Sequence, residues 1–496
     1  MTTLRRARNA KAATSPDILA HVPVDRTTGV PLHRQIYDGI RGAILRGSLR
    51  PGQRLPSTRT LARELGVSRL PVLGAYEQLR HEGYFETRTG SGTYVTAALP
   101  DDRMRAIPLA RLAAGTTSRR APAAKARASE DVGLRPFRMS VPGLDVFPHR
   151  MWARIVARHA HAMTPARMAY GNPAGVKALR VAIAEYVRTS RAVRCEADQV
   201  LIVSGSQAAL RLCASALLAS GDSMAIEEPG YPGARAAFET SDAAMVPVPV
   251  DGEGIDVAAL SSMRPRPRAV YVTPSHQYPL GVSMSAARRL ALLEWAERRR
   301  AWIIEDDYDS EYRYVSRPLG ALQGIDASGR VIYIGTMSKV LFPALRLGYV
   351  IVPRALWPQF IMAREASDLF SPVLYQLALV DFLREGHFAR HVRRMHTHYA
   401  SRRAALVDGL SRHCRDALVV YNADAGLHVS GLLARGLDDV GVVRQMADEG
   451  LMATALSTCY VGRATRSGLL LGFGGWTERR ILDGTKALGA VLSRMR

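Results

Sequence analysis

The sequence is short of the features that mark secreted and membrane proteins. Its 496 residues include only four cysteines, and these are scattered, without a CxxC pair or metal-ligand spacing. Scattered thiols argue against a disulfide framework and are typical of a reducing compartment. No apolar run approaches the ~20 residues that a membrane-spanning helix needs. These absences predict a cytoplasmic protein without a metal centre.

Acidic residues are also scarce, and the shortage is greatest near the start of the chain. The sequence has 67 Lys and Arg against 44 Asp and Glu, a formal net charge of +23. Residues 1–135 alone hold 23 basic and 11 acidic residues, about half of the whole excess. This uneven charge favours a phosphate-rich partner such as nucleic acid. A solvated basic surface explains it equally well, so charge alone does not decide.

Composition divides the chain into four regions. Residues 1–24 are basic and lack an apolar core, which predicts a flexible tail and not a secretory signal, although a transit peptide starts similarly. Residues 25–97 hold three helical periods and a hairpin. Residues 98–136 are rich in Ala, Arg, Pro and Thr and predict a linker. In residues 137–496, apolar runs alternate with amphipathic helices, which predicts an α/β domain with a mostly parallel sheet covered on both faces.

The pattern in residues 25–97 predicts three helices followed by a hairpin. The first predicted helix, from residue 31 to 45, has Pro31 at its start and apolar residues four apart. Ser57 is placed to cap the second helix, and Ser68 to cap the third. Two short extended runs then flank a turn that contains Gly90 and Gly92. Two helices across a tight turn and a hairpin are typical of a winged helix-turn-helix, which binds DNA.

Residues 49–69, LRPGQRLPSTRTLARELGVSR, closely resemble the DNA-binding domain of GntR-type regulators, and the YEQL, EGY and GSGTYV motifs continue the likeness. The resemblance implies double-stranded DNA as a partner and five contact positions: Arg59, Ser68, Arg69, Gly90 and Gly92. An arginine at the start of a recognition helix can donate two hydrogen bonds to guanine O6 and N7. Leu70 and Pro71 depart from the family, which often has small polar residues there.

Six apolar runs in the last region predict sheet strands: Val200–Val203, Ser223–Ile226, Ala269–Val272, Ala301–Ile304, Val331–Ile334 and Gly348–Val352. Polar motifs follow three of them. The first strand leads into Ser206 and Gln207 through a glycine turn at a helix N-terminus, which presents free N–H groups to a phosphate. The fourth leads to Asp306 and Tyr308, which share one side at a spacing of two. The fifth leads to Lys339.

These motifs meet the four chemical demands of a pyridoxal 5'-phosphate site. Lys339 can form a Schiff base with the cofactor aldehyde, and Asp306 can keep the pyridine nitrogen protonated. Tyr308 can hold the ring hydroxyl oxygen. Hydroxyl groups and the planar fork of Arg346, seven residues after the lysine, can hold the phosphate.

The spacing of these motifs, together with EPGY from Glu228 and TPSHQYPLG from Thr273, resembles the fold-type I aminotransferases over roughly residues 137–490. The resemblance implies that Lys339 is the Schiff-base lysine, Asp306 the partner of the pyridine nitrogen, and Tyr308 the donor to the ring hydroxyl oxygen. It implies further cofactor contacts from eight residues: Ser206, Gln207, Tyr231 stacked on the ring, His276, Gln277, Ser338, Arg346, and Tyr170 from the other subunit of a dimer.

A GntR-type reader joined by a linker to an aminotransferase-like domain resembles the MocR-family regulators, which implies a head-to-tail homodimer. The member that senses gamma-aminobutyrate has an arginine shortly after the stacking tyrosine, which this chain lacks at Pro232–Ala234. Aminotransferases also bind a substrate carboxylate with a late arginine, near the position of Leu470 here. Arg463 and Arg466 are candidates for that role, and surface arginines are an equal alternative.

The sequence therefore predicts a DNA-binding transcription regulator that depends on pyridoxal phosphate. In this hypothesis an amine or amino-acid effector, or the cofactor itself, modulates promoter binding through the imine at Lys339. One alternative is an active aminotransferase with a DNA-binding appendage, since the lysine and aspartate of proton transfer are present. Another is a constitutive repressor whose cofactor is only structural.

Overall fold

The computed structural model describes residues 22–88, 91–97, 133–314 and 320–496. The chain divides into two compact units between Ala128 and Ser129. Nearly all of the predicted tail and linker, and Gly90 of the predicted hairpin turn, lie outside the described residues. No helix in the described ranges is long and apolar enough to cross a membrane.

The smaller unit has the three helices and the hairpin that the sequence predicts. The elements are α1 Leu32–Leu45, α2 Thr58–Glu64, α3 Arg69–His81, and the antiparallel strands β1 Phe85–Arg88 and β2 Gly92–Val95. The three helices bury Ile36, Leu61 and Val72 in one apolar cluster. The Ser57 hydroxyl accepts a 3.1 Å hydrogen bond from the backbone of Thr60, so the predicted cap of α2 is confirmed.

The predicted side-chain cap by Ser68 is wrong. Ser68 occupies the position before α3 in an extended conformation, but its exposed hydroxyl makes no capping hydrogen bond. The free N–H groups at the start of α3 are therefore left for solvent or for another partner.

The larger unit is built on an eight-stranded sheet. Its strands are β3 Val200–Val203, β4 Ser223–Glu228, β5 Ala244–Asp251, β6 Gly254–Ile255, β7 Ala269–Val272, β8 Trp302–Asp307, β9 Val331–Thr336 and β10 Gly348–Ile351. They lie in the order β3-β10-β9-β8-β7-β4-β5-β6. The pairs from β9 to β5 are parallel, whereas β10 runs antiparallel to both of its neighbours. The predicted mostly parallel sheet is confirmed.

Helices cover both faces of this sheet, which explains why strands such as β3 and β7 are buried at every position. In β3, Val200 and Ile202 belong to one buried cluster, while Leu201 and Val203 belong to another on the opposite face. The helices of the unit are α4 His149–His161, α5 Pro165–Met168, α6 Lys177–Arg191, α7 Ser206–Leu217, α8 Pro232–Phe238, α9 Val257–Ser262, α10 Ala286–Arg299, α11 Trp357–Ser367, α12 Val373–Arg384, α13 His387–His413, α14 Asp439–Asp448 and α15 Glu478–Arg494.

A second, smaller sheet follows later in the chain. Its antiparallel strands are β11 Leu418–Asn422, β12 His428–Leu433, β13 Thr454–Ala455 and β14 Gly468–Gly472, in the order β11-β12-β14-β13. Phe137, close to the start of the described part of this unit, pairs with Gly472 at the end of β14 and is fully buried. The stretch around Phe137 is thereby fixed to the second sheet.

Candidate cofactor site and DNA-binding surface

A cavity lies where β8 and β9 end, and eight residues predicted from the sequence line it. They are Ser206, Gln207, Tyr231, Asp306, Tyr308, Ser338, Lys339 and Arg346. Parallel strands end at the same edge of a sheet, so motifs that are far apart in sequence meet there. This edge is the usual position of ligand sites in open α/β sheets.

One end of the cavity is suited to a phosphate group. Helix α7 begins at Ser206, so its first N–H groups and the positive end of its dipole lie at the cavity. Gly205 has a φ of +95°, and a Cβ there would lie 3.1 Å from the Arg346 guanidinium. Arg346 donates a 2.6 Å hydrogen bond to the backbone oxygen of Ser204, which holds its fork beside the helix N-terminus.

The Asp306 carboxylate fits a protonated ring nitrogen. Its Oδ2 accepts a 2.8 Å hydrogen bond from the Tyr271 hydroxyl, while its buried Oδ1 has no hydrogen-bond partner in the described part of the chain. Burial raises the pKa of Asp306 to about 7. A buried carboxylate oxygen without a partner is costly, and a cation placed against it would favour the ionised form. The Asp306 carboxylate is therefore a suitable acceptor for the protonated pyridine nitrogen of pyridoxal phosphate.

Lys339 lies just beyond the end of β9 with its amine in the cavity. Burial lowers the pKa of the Lys339 ammonium to about 8, although the nearby Asp309 and Asp306 carboxylates act in the opposite direction. A lysine with a lowered pKa has a larger neutral, nucleophilic fraction near neutral pH. The Lys339 Nζ lies 3.4 Å from the backbone oxygen of Ser140.

The Tyr308 hydroxyl is held by a buried histidine. It lies 2.9 Å from the backbone oxygen and 3.1 Å from Nδ1 of His276. The same Nδ1 lies 3.0 and 3.2 Å from the two carboxylate oxygens of Asp309. His276 is thus a support behind Tyr308 and is absent from the cavity lining that the structure describes, contrary to the cofactor contact assigned to it above.

Gln277 is also placed away from the cavity lining. Its side-chain amide donates hydrogen bonds to the backbone oxygens of Pro229 (2.9 Å) and Tyr278 (2.7 Å), and its oxygen accepts from the backbone of Leu280. These bonds direct the side chain towards the loops that contain Pro229 and Tyr278 and away from the cavity. The assignment of Gln277 to the cofactor is therefore corrected to a structural contact.

The two arginines assigned to an effector do not line the cavity either. Arg463 is exposed, and the Arg466 guanidinium packs over the Tyr421 ring at 5.2 Å. Leu470, near the place of the late arginine, is fully buried on β14. The expected carboxylate contact by Arg463 or Arg466 is corrected accordingly.

Tyr170 is 86% exposed and does not line the described cavity of its own chain. It packs edge-on against Phe370 at 6.2 Å, and Met168 nearby in the sequence is also exposed. An exposed tyrosine of this kind is what a contact with a second subunit would require.

The cavity has further lining residues that the sequence analysis did not assign to it. Tyr271 is on β7, His428 on β12 and Asp309 in the loop after β8, and Met139 and Ser140 belong to the segment before α4. Tyr271 is an ordinary strand residue in sequence, and His428 lies more than 80 residues beyond the last motif. The short DDYD run was a usable signal for Asp309.

In the smaller unit, the predicted DNA-contacting arginines lie on the helix-turn-helix surface. Arg69 is the first residue of α3 and is exposed, with its Nε 3.2 Å from the Thr58 hydroxyl at the start of α2. Arg59 is exposed on α2. Gly92 has a φ of +107°, and a Cβ there would lie 3.3 Å from Arg54. A glycine at this position therefore lets Arg54 pack against the hairpin.

Comparison with known proteins agrees with this architecture. Residues 32–95 match the gntR family of bacterial regulatory proteins, and residues 145–469 match the aminotransferases of class I and II. The chain is 40% identical to the probable rhizopine catabolism regulatory protein MocR of Rhizobium meliloti, over 94% of each chain. It is 35% identical to the pyridoxine biosynthesis regulator PdxR of Corynebacterium glutamicum, over 93% of this chain and 96% of that one.

The multiple substrate aminotransferase of Thermococcus profundus superposes with a TM-score of 0.67 at 27% identity, covering 72% of this chain and 91% of that one. A GntR-type reader and an aminotransferase fold that binds pyridoxal phosphate define the class: a DNA-binding transcription regulator with this cofactor. The chain belongs to the MocR family of these regulators.

Proposed function

We propose that occupancy of the cavity at Lys339 controls the affinity of this regulator for its promoter. The observation that carries the proposal is Asp306, whose buried Oδ1 has no hydrogen-bond partner among the described residues. It lines a cavity together with Lys339 and with Ser206 at the N-terminus of α7. A primary amine, or the cofactor itself, is the effector.

Each residue has a distinct task in this proposal. Asp306 would hold the protonated ring nitrogen, Tyr308 the ring hydroxyl oxygen, and Tyr231 the face of the ring. The N-terminus of α7 and Arg346 would hold the phosphate. Pyridoxal phosphate, when bound, supplies an aldehyde carbon that reacts reversibly with primary amines. Lys339 would hold the cofactor, and its lowered pKa of about 8 would keep part of its amine neutral near physiological pH.

Control of transcription requires that the cavity and the DNA reader be coupled. A useful coupling free energy is ~1–3 kcal/mol, which changes DNA affinity about 5- to 150-fold. An effector produces such a change only if it interacts differently with two conformations of the protein. On the DNA side we assign contacts to Arg59 and Arg69, with Ser68 and the Gly90–Gly92 turn approaching the phosphates.

We further propose that the protein is a homodimer in which Tyr170 contacts the other subunit. The proposed domain limits are those given by the sequence: reader 25–97, linker 98–136 and cofactor domain 137–496. The exposed Tyr170 ring would reach the phosphate of the other subunit. As a regulator of promoters, the protein acts in the cytoplasm. Light scattering of the full chain measures the mass, and Tyr170→Phe should weaken cofactor binding without altering that mass.

The test of the main proposal uses an operator selected from random DNA by the full-length protein. Its affinity is measured with and without pyridoxal phosphate and a panel of primary amines. We expect a change of about fivefold or more in wild type, and none in Lys339→Ala, which still binds DNA. Lys486→Ala, an exposed lysine on α15, is the matched control. An equal ligand response in Lys339→Ala rejects the proposal.

The same preparation tests the two alternatives. Sustained transamination at ~1 per second or more, the range of ordinary enzymes, would favour an active aminotransferase. Operator affinity that does not depend on the cofactor would favour a constitutive repressor.

A further inference from the structure

The cavity extends beyond the positions that hold the ring and the phosphate. Besides Tyr271, Thr336 and Pro343, the rest of the lining consists of Met139, Ser140, Tyr278, Leu427, His428 and the Asp309 carboxylate, and these six residues are called the wall below. If the proposed function is right, this wall contacts the part of the effector that lies beyond its amine group. Its chemistry therefore indicates what kind of effector the cavity accepts.

Cations are missing from this wall in the described part of the chain. The cationic side chains that line the cavity there are Lys339 and Arg346. Lys339 is the reactive amine, and Arg346 lies at the phosphate end against Gly205. Burial lowers the pKa of His428 to about 4, so its imidazole is neutral at physiological pH.

Two positions near the wall were candidates for a cation, and in the described part of the chain neither places one in the cavity lining. Arg235, which follows the stacking tyrosine, donates a 3.0 Å hydrogen bond to the backbone oxygen of Tyr460 and lines a separate small pocket. Leu470 belongs to a buried apolar cluster against which Met139 and Tyr278 pack. Tyr421 packs against the same cluster, and the Arg466 guanidinium lies over the Tyr421 ring at 5.2 Å but does not line the described cavity.

A carboxylate placed against this wall would be unfavourable. It would lose its hydration without gaining a cationic partner, and it would lie in the same cavity as the Asp309 carboxylate. A neutral hydroxyl group would be accepted, because Ser140, Tyr278 and His428 each carry a group that can donate or accept a hydrogen bond.

We propose that the effector is a primary amine without a carboxylate, whose far end carries hydroxyl groups. This inference rests on the proposed function and narrows it to one chemical class of ligand. It excludes the common amino acids and gamma-aminobutyrate as effectors.

The experiment uses full-length protein loaded with pyridoxal phosphate and follows the visible absorbance of the cofactor during titration. Amines are compared in matched pairs that differ in the carboxylate: serinol and serine, aminobutanol and gamma-aminobutyrate, tyramine and tyrosine. We expect the carboxylate-free member of each pair to bind at least about tenfold more tightly, the size of effect that an unpaired buried group produces. Equal or tighter binding of the carboxylate members overturns the inference.

Substitutions at two positions test whether the wall residues cause the preference for amines without a carboxylate and with a hydroxyl group. Leu470→Arg should bring a cation behind Met139 and Tyr278, and so reduce the preference within each pair about tenfold, while Leu470→Met should leave it unchanged. His428→Phe should remove the preference for aminobutanol over butylamine, which differ only in the hydroxyl group. Because wild type alone decides the pair comparison, a variant that fails to load cofactor does not affect the test.

Failure of the inference and failure of the proposed function give different results. A preference for the carboxylate members overturns only the inference. A complete lack of response to every amine, in protein whose cofactor is attached to Lys339, overturns amine sensing itself.

Discussion

The Tyr308 hydroxyl lies 2.9 Å from the backbone oxygen of His276, and the imidazole of this histidine is held in turn by Asp309 at 3.0 Å. All three residues are at least partly buried, and Tyr308 and Asp309 line the cavity. The phenol is therefore fixed in position before any ligand binds. Pre-organisation of this kind removes an ordering cost from ligand binding.

We expect Tyr308→Phe to weaken the binding of pyridoxal phosphate about tenfold, the usual effect of losing a hydrogen bond to a charged group. It should also raise the pH at which the absorbance of the bound cofactor changes, because a donor to the ring oxygen stabilises its anion. Titration of the full-length protein with cofactor, followed by absorbance, measures both. Tyr312→Phe removes a buried hydroxyl that has no hydrogen-bond partner in the described chain, and should change neither.

Asp306 should make the cofactor-free protein sensitive to pH. Burial raises its pKa to about 7, against about 4 in an unfolded chain. Between these values the folded state holds a proton that the unfolded state has lost, so the contribution of Asp306 to stability falls as pH rises from about 4 through 7. Asp306→Asn cannot titrate. The unfolding free energy of wild type should therefore decrease relative to that of this variant as the pH rises over that range.

Denaturant unfolding of both cofactor-free proteins at several pH values provides the measurement. A difference that stays constant with pH would show that Asp306 is ionised in the folded state. With the cofactor bound, the trend should weaken, because a cation at Oδ1 favours the carboxylate.

The lowered pKa of Lys339 predicts how fast the cofactor attaches. Because burial lowers the pKa to about 8, the neutral amine fraction should rise up to about pH 8 and then level off. The rate of attachment, measured by absorbance after mixing, should follow the same curve. A rate that keeps rising towards pH 10 would show instead an ordinary lysine with a pKa near 10.4.

Arg69 should contribute to specific DNA binding because it is exposed at the N-terminus of α3. Arg69→Ala should cost ~1–3 kcal/mol with the selected operator if it contacts a base. Arg80→Ala removes the same charge from an exposed position in the last turn of the same helix and serves as the control. Fluorescence anisotropy with operator and random DNA separates the two effects. Equal losses from both variants would indicate a general charge effect.

Leu70 departs from the GntR pattern and is 76% exposed next to Arg69. An exposed leucine at this position is suited to contact a thymine methyl group in the major groove. Replacing single thymines of the operator by deoxyuridine should therefore weaken wild-type binding at one position and leave Leu70→Ala unaffected. Equal sensitivity of both proteins at every position contradicts this contact.

Much of the fold could be predicted because its signals are local. The alternation of apolar runs and amphipathic helices gave the strands to within a few residues, and strand ends placed Asp306 and Lys339 at one edge. Strand β8 extends to Asp307, past the predicted end at Ile304, because its polar last residues are still paired with β9.

The remaining lining of the cavity depends on contacts between distant parts of the chain. Tyr271 reaches Asp306 across neighbouring strands, and His428 comes from the second sheet, so neither has a local signal in sequence. His276 and Gln277 were assigned to the cofactor from the resemblance to fold-type I aminotransferases. Their loop instead turns both side chains into hydrogen bonds with the protein itself, which no spacing rule reveals.

The contact between the Lys339 amine and the backbone of Ser140 has a consequence for signalling. Ser140 lies three residues after Phe137, which anchors the chain to the second sheet, and it belongs to the stretch that follows the predicted linker. Of the residues that line the cavity, Met139 and Ser140 are the nearest along the chain to the promoter-reading unit. If the proposed exchange at Lys339 moves its nitrogen, the first backbone it affects would be this segment, which continues along the chain towards the reader.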